Sequence, residues 1–94
     1  MFTVITKFNP PTNTRGARIT VKSNNFKTVF TGGMPGDTPR EYHARAIEEH
    51  IQLRAIKRRE ELKGSGVPFE GYRVISEQVF MPDLSGYVVI AEEV

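Results

Sequence analysis

From Phe2 to Phe8 the chain alternates. Phe2, Val4, Thr6 and Phe8 fall on one face and Thr3, Ile5 and Lys7 on the other, which predicts a β-strand. Pro10 and Pro11 end it, because neither can donate to a ladder. Alternation resumes from Ala17 to Ser23, with Ala17, Ile19 and Val21 inward and Arg18, Thr20 and Lys22 outward. Ser23, Asn24 and Asn25 make a turn, and residues 26–31 form a third strand with Phe26 and Phe30 on one face. Gly32, Gly33, Met34, Pro35 and Gly36 then break the pattern.

Thr38, Pro39, Arg40 and Glu41 spell a capping box: a threonine N-cap, proline at the first helical position and glutamate at the third. The helix runs to about Lys63 and stops at Gly64, Ser65 and Gly66. Lys57, Arg58, Arg59 and Lys63 suit its carboxyl end. Residues 72–81 and 87–91 read as two further strands joined by a turn at Pro82, Asp83, Leu84, Ser85 and Gly86. The order is βββ-α-ββ: an α+β fold, residues 1–94 as a single domain, with one antiparallel sheet and one long helix.

On a helical wheel Tyr42, Ala46, Leu53 and Ile56 gather on one side, and Ala44, Ile47, Ile51, Ala55 and Leu62 on the opposite side. A helix lying on a sheet needs a single stripe. The second is covered either by the carboxy-terminal hairpin and the loop at Val67, Pro68 and Phe69, or by a homodimer or partner-protein interface at Ile47, Ile51, Ala55 and Leu62.

Charge changes the picture next. Residues 1–36 carry Lys7, Arg15, Arg18, Lys22 and Lys27 and no acid; the first acidic residue is Asp37. The net charge of +2 therefore hides a basic third, an electrostatic address for something anionic. Thr12, Asn13, Thr14, Arg15 and Gly16 add hydroxyls, an amide, a guanidinium and free backbone N–H groups. They form either a self-capped turn or an anion-contact loop. Arg18 and Lys22 share a strand face and extend the same patch, and Lys7 and Lys27 join it if the strands pair in order. Lysines on an edge strand also deter aggregation. Phe8 and Phe26 are read as core.

Other chemistry is sparse. The chain has no cysteine and hence no disulfide or thiolate site. His43 and His50 lie seven residues apart, about 10.5 Å along a helix, too far to share one ion; a structural or solvent-facing role is expected. Glu48 with Glu49 and Glu60 with Glu61 diverge on solvated faces, and Glu41 is expected to pair with Arg45. No nucleophile motif appears, so no catalytic residue, cofactor or metal is expected. Composition, the absence of a long apolar run and the alternating start predict a soluble cytoplasmic protein with neither a membrane span nor a signal peptide.

The run Ile5, Thr6, Lys7, Phe8, Asn9, Pro10, Pro11, Thr12, Asn13, Thr14, Arg15, Gly16, Ala17, Arg18, Ile19 resembles the amino-terminal signature of small uncharacterised proteins encoded by phages, plasmids and bacterial chromosomes. Tyr42, His43, Ala44, Arg45 and Ala46 are similar to the helix that follows in many of them. The resemblance implies a mobile-element context, with the host cytoplasm as location, and no particular activity.

The expected function is thus a non-enzymatic accessory protein that binds nucleic acid through Thr12, Asn13, Thr14, Arg15, Gly16, Arg18, Lys22 and Lys27. The alternatives are an inhibitor or adaptor that docks on an acidic surface of a host or anti-phage defence protein, and a binder of a small anion or nucleotide.

Overall fold

A computed structural model describes residues 1–13, 16–31 and 37–94, the side chain of Leu84 excepted. The glycine-rich break at residues 32–36 and the loop residues Thr14 and Arg15 lie outside the described residues. The elements are β1 (Phe2–Asn9), β2 (Arg18–Ser23), β3 (Phe26–Phe30), α1 (Pro39–Leu62), β4 (Tyr72–Val74), β5 (Val79–Met81) and β6 (Gly86–Glu93). They form one antiparallel sheet in the order β3-β2-β1-β6-β4, with β5 also on β6, and the helix lies across one face.

The three amino-terminal strands follow the alternation. Val4, Thr6, Ile19 and Val21 are buried, while Thr3, Ile5, Lys7 and Lys22 are exposed. Phe8 packs against the core, and Phe26 lies against the His50 ring. Asn24 takes a left-handed φ of 47° in the β2–β3 turn, a conformation asparagine tolerates better than most residues.

The edge opposite β3 departs from the single strand expected over residues 72–81. Between the pairs Val74↔Ala91 and Val79↔Val88 the edge advances five residues while β6 advances three, so two residues bulge out. Ser76 fills the gap: its Oγ accepts from Ile90 N–H at 2.7 Å. A short 3-10 turn at Pro82–Leu84 and Ser85 at φ 49° then lead into Gly86. A Cβ on Gly86 would sit 1.9 Å from the Thr6 carbonyl oxygen, so only glycine lets β6 lie this close to β1.

The threonine half of the capping box forms, and the Glu41 carboxylate turns back to the Thr38 hydroxyl. Thr38 Oγ1 accepts from Glu41 N–H at 3.2 Å and donates to Glu41 Oε1 at 2.9 Å. With Glu41 so occupied, Arg45 pairs with Asp37 at 2.9 Å instead. Gly64, at φ 81°, follows the last turn.

The two opposite stripes are corrected. The helix presents one face to the sheet, centred between them on His43, Ala46, Ile47, His50 and Ile51, with Ala55 beyond. Leu53 is 39% exposed and Ile56 54%. The polar centre of this face is why apolar periodicity alone misplaces it. Ile47, Ile51 and Ala55 pack inside the chain and Leu62 is half-buried, so three of the four proposed interface residues are already used in the fold.

Candidate interaction surface

Only one face of the sheet is covered by the helix. Strand register places on the other face a row running across the strands: Lys27, Lys22, Ile5, Val88, Val79. The neighbouring row carries Val29, Thr20 and Lys7, and the row on the opposite side pairs Thr3 with Ile90. The three lysines therefore occupy the β3–β2–β1 end, interspersed with Ile5 and Val29, and the β6–β5 end carries aliphatic side chains alone in that row. Val29, Val79 and Ile90 are 50%, 54% and 40% exposed. Aromatic residues of the strands all fall on the helix side; Phe2, Phe26, Phe30, Tyr72, Phe80 and Tyr87 make their ring contacts there.

Lys22 and Lys27 face each other in register. Like charges so placed repel, by a few tenths of a kcal/mol up to about 1. Lys7 joins them around a shallow depression of about 250 Å³ that Ile5, Asn9 and Thr20 complete. Asn9 Nδ2 donates to Thr20 Oγ1 at 2.8 Å across its floor. No carboxylate among the described residues lines it. The ion pair on this face, Arg73 with Glu92 at 2.6 Å, lies at the opposite edge.

The sequence-based site is thus partly assembled. Lys22 and Lys27 are adjacent and Lys7 joins them. Arg18 pairs with Asn9 one row beyond, half-buried. Thr12, Asn13 and Gly16 are exposed in the β1–β2 loop, and Thr14 and Arg15 lie outside the described residues. The aliphatic half was not anticipated. Its signal was present: β6 is apolar at consecutive positions, Tyr87, Val88, Val89, Ile90 and Ala91, which places apolar side chains on both faces.

Beneath the helix is a seam of polar groups. Thr6 Oγ1 lies 2.7 Å from His43 Nδ1 and accepts from Tyr87 N–H at 2.8 Å. His50 is held at both ring nitrogens, by Ser23 Oγ at 2.6 Å and Thr28 Oγ1 at 2.8 Å. Arg54 donates to Ser23 Oγ; the neutral His50 ring carries one N–H, so it donates to one of the Ser23 and Thr28 hydroxyls and accepts from the other. Burial lowers the pKa of His43. Burial, with the Arg54 charge second, lowers that of His50 to about 4, so both rings are neutral near pH 7. Thr6 and Ser23 are 0% and 2% exposed, so these hydroxyl–imidazole pairs meet no substrate and serve the fold. Among the described residues no three His, Asp or Glu side chains gather as metal ligands, and no helix is long and apolar enough to cross a membrane.

Comparison with protein-family models, curated proteins and solved structures gives no match.

Proposed function

We propose that the protein is a non-enzymatic binding module whose open sheet face docks on a protein surface that is acidic at one end and aliphatic at the other. The observation that carries this is the row Lys27, Lys22, Ile5, Val88, Val79. Carboxylates on the partner relieve the Lys22–Lys27 repulsion, and apolar contact gains from covering Val79, Val88 and Ile90. A second copy suits the face poorly, since its lysines would meet lysines or be buried under aliphatic groups. The resemblance of residues 5–19 to mobile-element proteins supports a host or defence protein as the partner.

Nucleic acid is the second reading, favoured by the cluster of Lys7, Lys22 and Lys27 beside Arg18, which has no carboxylate partner among the described residues. It is weaker because a phosphate backbone gains nothing from the aliphatic half and the face offers no ring for base stacking. The test is recovery of partners from host lysate, with and without nuclease. Wild type is compared with a Lys22→Glu/Lys27→Glu variant and a Val79→Ser/Ile90→Ser variant. A protein partner survives nuclease and is lost in both variants. Recovery that vanishes with nuclease and ignores Val79→Ser/Ile90→Ser refutes the protein reading. A log–log salt slope shallower by up to about 3 on removing the three lysines then marks backbone contact.

A further inference from the structure

Arg54 projects from the helix on the covered side of the sheet, away from the docking face. It is fixed in place. Nη1 donates to both the carbonyl oxygen and Oγ of Ser23, each at 3.1 Å. The guanidinium carbon lies 4.3 Å from the Phe2 ring centroid and 5.5 Å from that of Tyr72. Nε is buried and has no acceptor among the described residues, and no carboxylate makes an ion pair with the group. A cation drawn out of water normally has a counter-ion, because its desolvation is otherwise uncompensated.

The side chain lines a cavity of about 490 Å³ where the β2–β3 turn, the later turns of α1 and the end of β6 meet. Asn24, Asn25, Lys57 and Arg58 line it as well, with Phe26 and Tyr72 as its apolar walls. Lys57 Nζ lies 5.3 Å from the Phe26 ring centroid, so that cation too is placed against an aromatic face. Two carboxylates share the lining. Glu61 is engaged by Arg58 at 3.8 Å, and Glu93 makes no such pair among the described residues.

We propose that this cavity binds a small phosphate monoester that also carries hydroxyl groups, of the sugar phosphate or mononucleotide class. The phosphate dianion meets Arg54 and Lys57, two cations for two charges, with the Asn24 and Asn25 amides as further donors. Glu93 would repel a bare anion; it becomes a favourable acceptor once the same ligand brings hydroxyl donors. The volume is far more than a lone phosphate fills. The cavity is independent of the docking face, since Ser23 and Phe26 point to the helix side where Lys22 and Lys27 point away.

Ribose 5-phosphate, ribose, inorganic phosphate and phosphoserine, each titrated into the isotope-labelled protein at low salt, test this. Ribose 5-phosphate is expected to shift the amides of residues 24–26 and 54–58 saturably, and ribose alone to leave them in place. Inorganic phosphate and phosphoserine should bind about tenfold more weakly, the loss of one charge-assisted hydrogen bond. Lys57→Ala, at an exposed position, should weaken ribose 5-phosphate about tenfold with an unchanged circular dichroism spectrum. Arg54→Lys, which keeps the charge but loses the fork, should weaken it as well. No saturable shift at millimolar ribose 5-phosphate overturns the proposal. So does equal affinity for inorganic phosphate or phosphoserine, or wild-type affinity in Lys57→Ala.

Discussion

Lowering the pH from 7 to 5 should cost this fold about 2 kcal/mol through His50 alone. The ring is fully buried, held at both nitrogens by Ser23 and Thr28, tilted against Phe26 and close to the Arg54 charge. Its pKa falls from 6.5 in the unfolded chain to about 4 in the fold. Below pH 6.5 the unfolded state therefore takes up a proton that the native state refuses. Stability from this group is complete above that pH, drains as pH falls, and is exhausted below about 4, a total of about 3 kcal/mol. His43, lowered by burial, acts with the same sign. The interval from pH 5 to 7 lies above the ordinary carboxylate range, so histidines dominate it. Urea unfolding at the two pH values measures the loss. His50→Gln, whose neutral amide offers both a donor and an acceptor but cannot titrate, should be less stable at pH 7 by about 1–3 kcal/mol yet lose about 2 kcal/mol less on acidification. An imidazole resonance of His50 that titrates near pH 6.5 in the folded protein refutes the reasoning. A variant that keeps the wild-type pH slope does the same.

The helix orientation makes a paired prediction: Ile51→Ala should cost about 2–5 kcal/mol and Ile56→Ala less than about 0.5, read as shifts in urea midpoint. Comparable losses at the two sites would mean the helix is rotated. Thr38→Ala removes the N-cap acceptor for Glu41 N–H and should destabilise by about 1 kcal/mol by thermal melting, whereas Thr38→Ser should be nearly neutral. Gly86→Ala drives a methyl into the Thr6 carbonyl and should cost about 3 kcal/mol or more, with amide exchange accelerated in β1 and β6; an unperturbed melting curve would contradict the close approach of those strands.

Local rules made much of this architecture legible from the sequence alone. Alternation set the faces of β1, β2 and β3, the prolines at 10 and 11 ended the first strand, and Thr38 with Glu41 started the helix. These signals act between residues a few positions apart, so the chain carries them before it folds. The same holds for the segregation of charge that led to Lys7, Lys22 and Lys27. Tertiary structure decided the rest, because the partners are distant in sequence. His43, His50 and Arg54 can centre the buried helix face only because Thr6, Ser23 and Thr28 bring hydroxyls beneath it. Without those acceptors and donors the same residues belong in water, which is why the sequence pointed to two apolar stripes on either side of the real one. Likewise β6, from the carboxyl end, pairs with β1 from the amino end, and that pairing alone sets Val88 and Val79 in line with Lys22 and Lys27. Each half of that surface leaves its own signature, the lysines near one end of the chain and the apolar run near the other, but their alignment on one face has none.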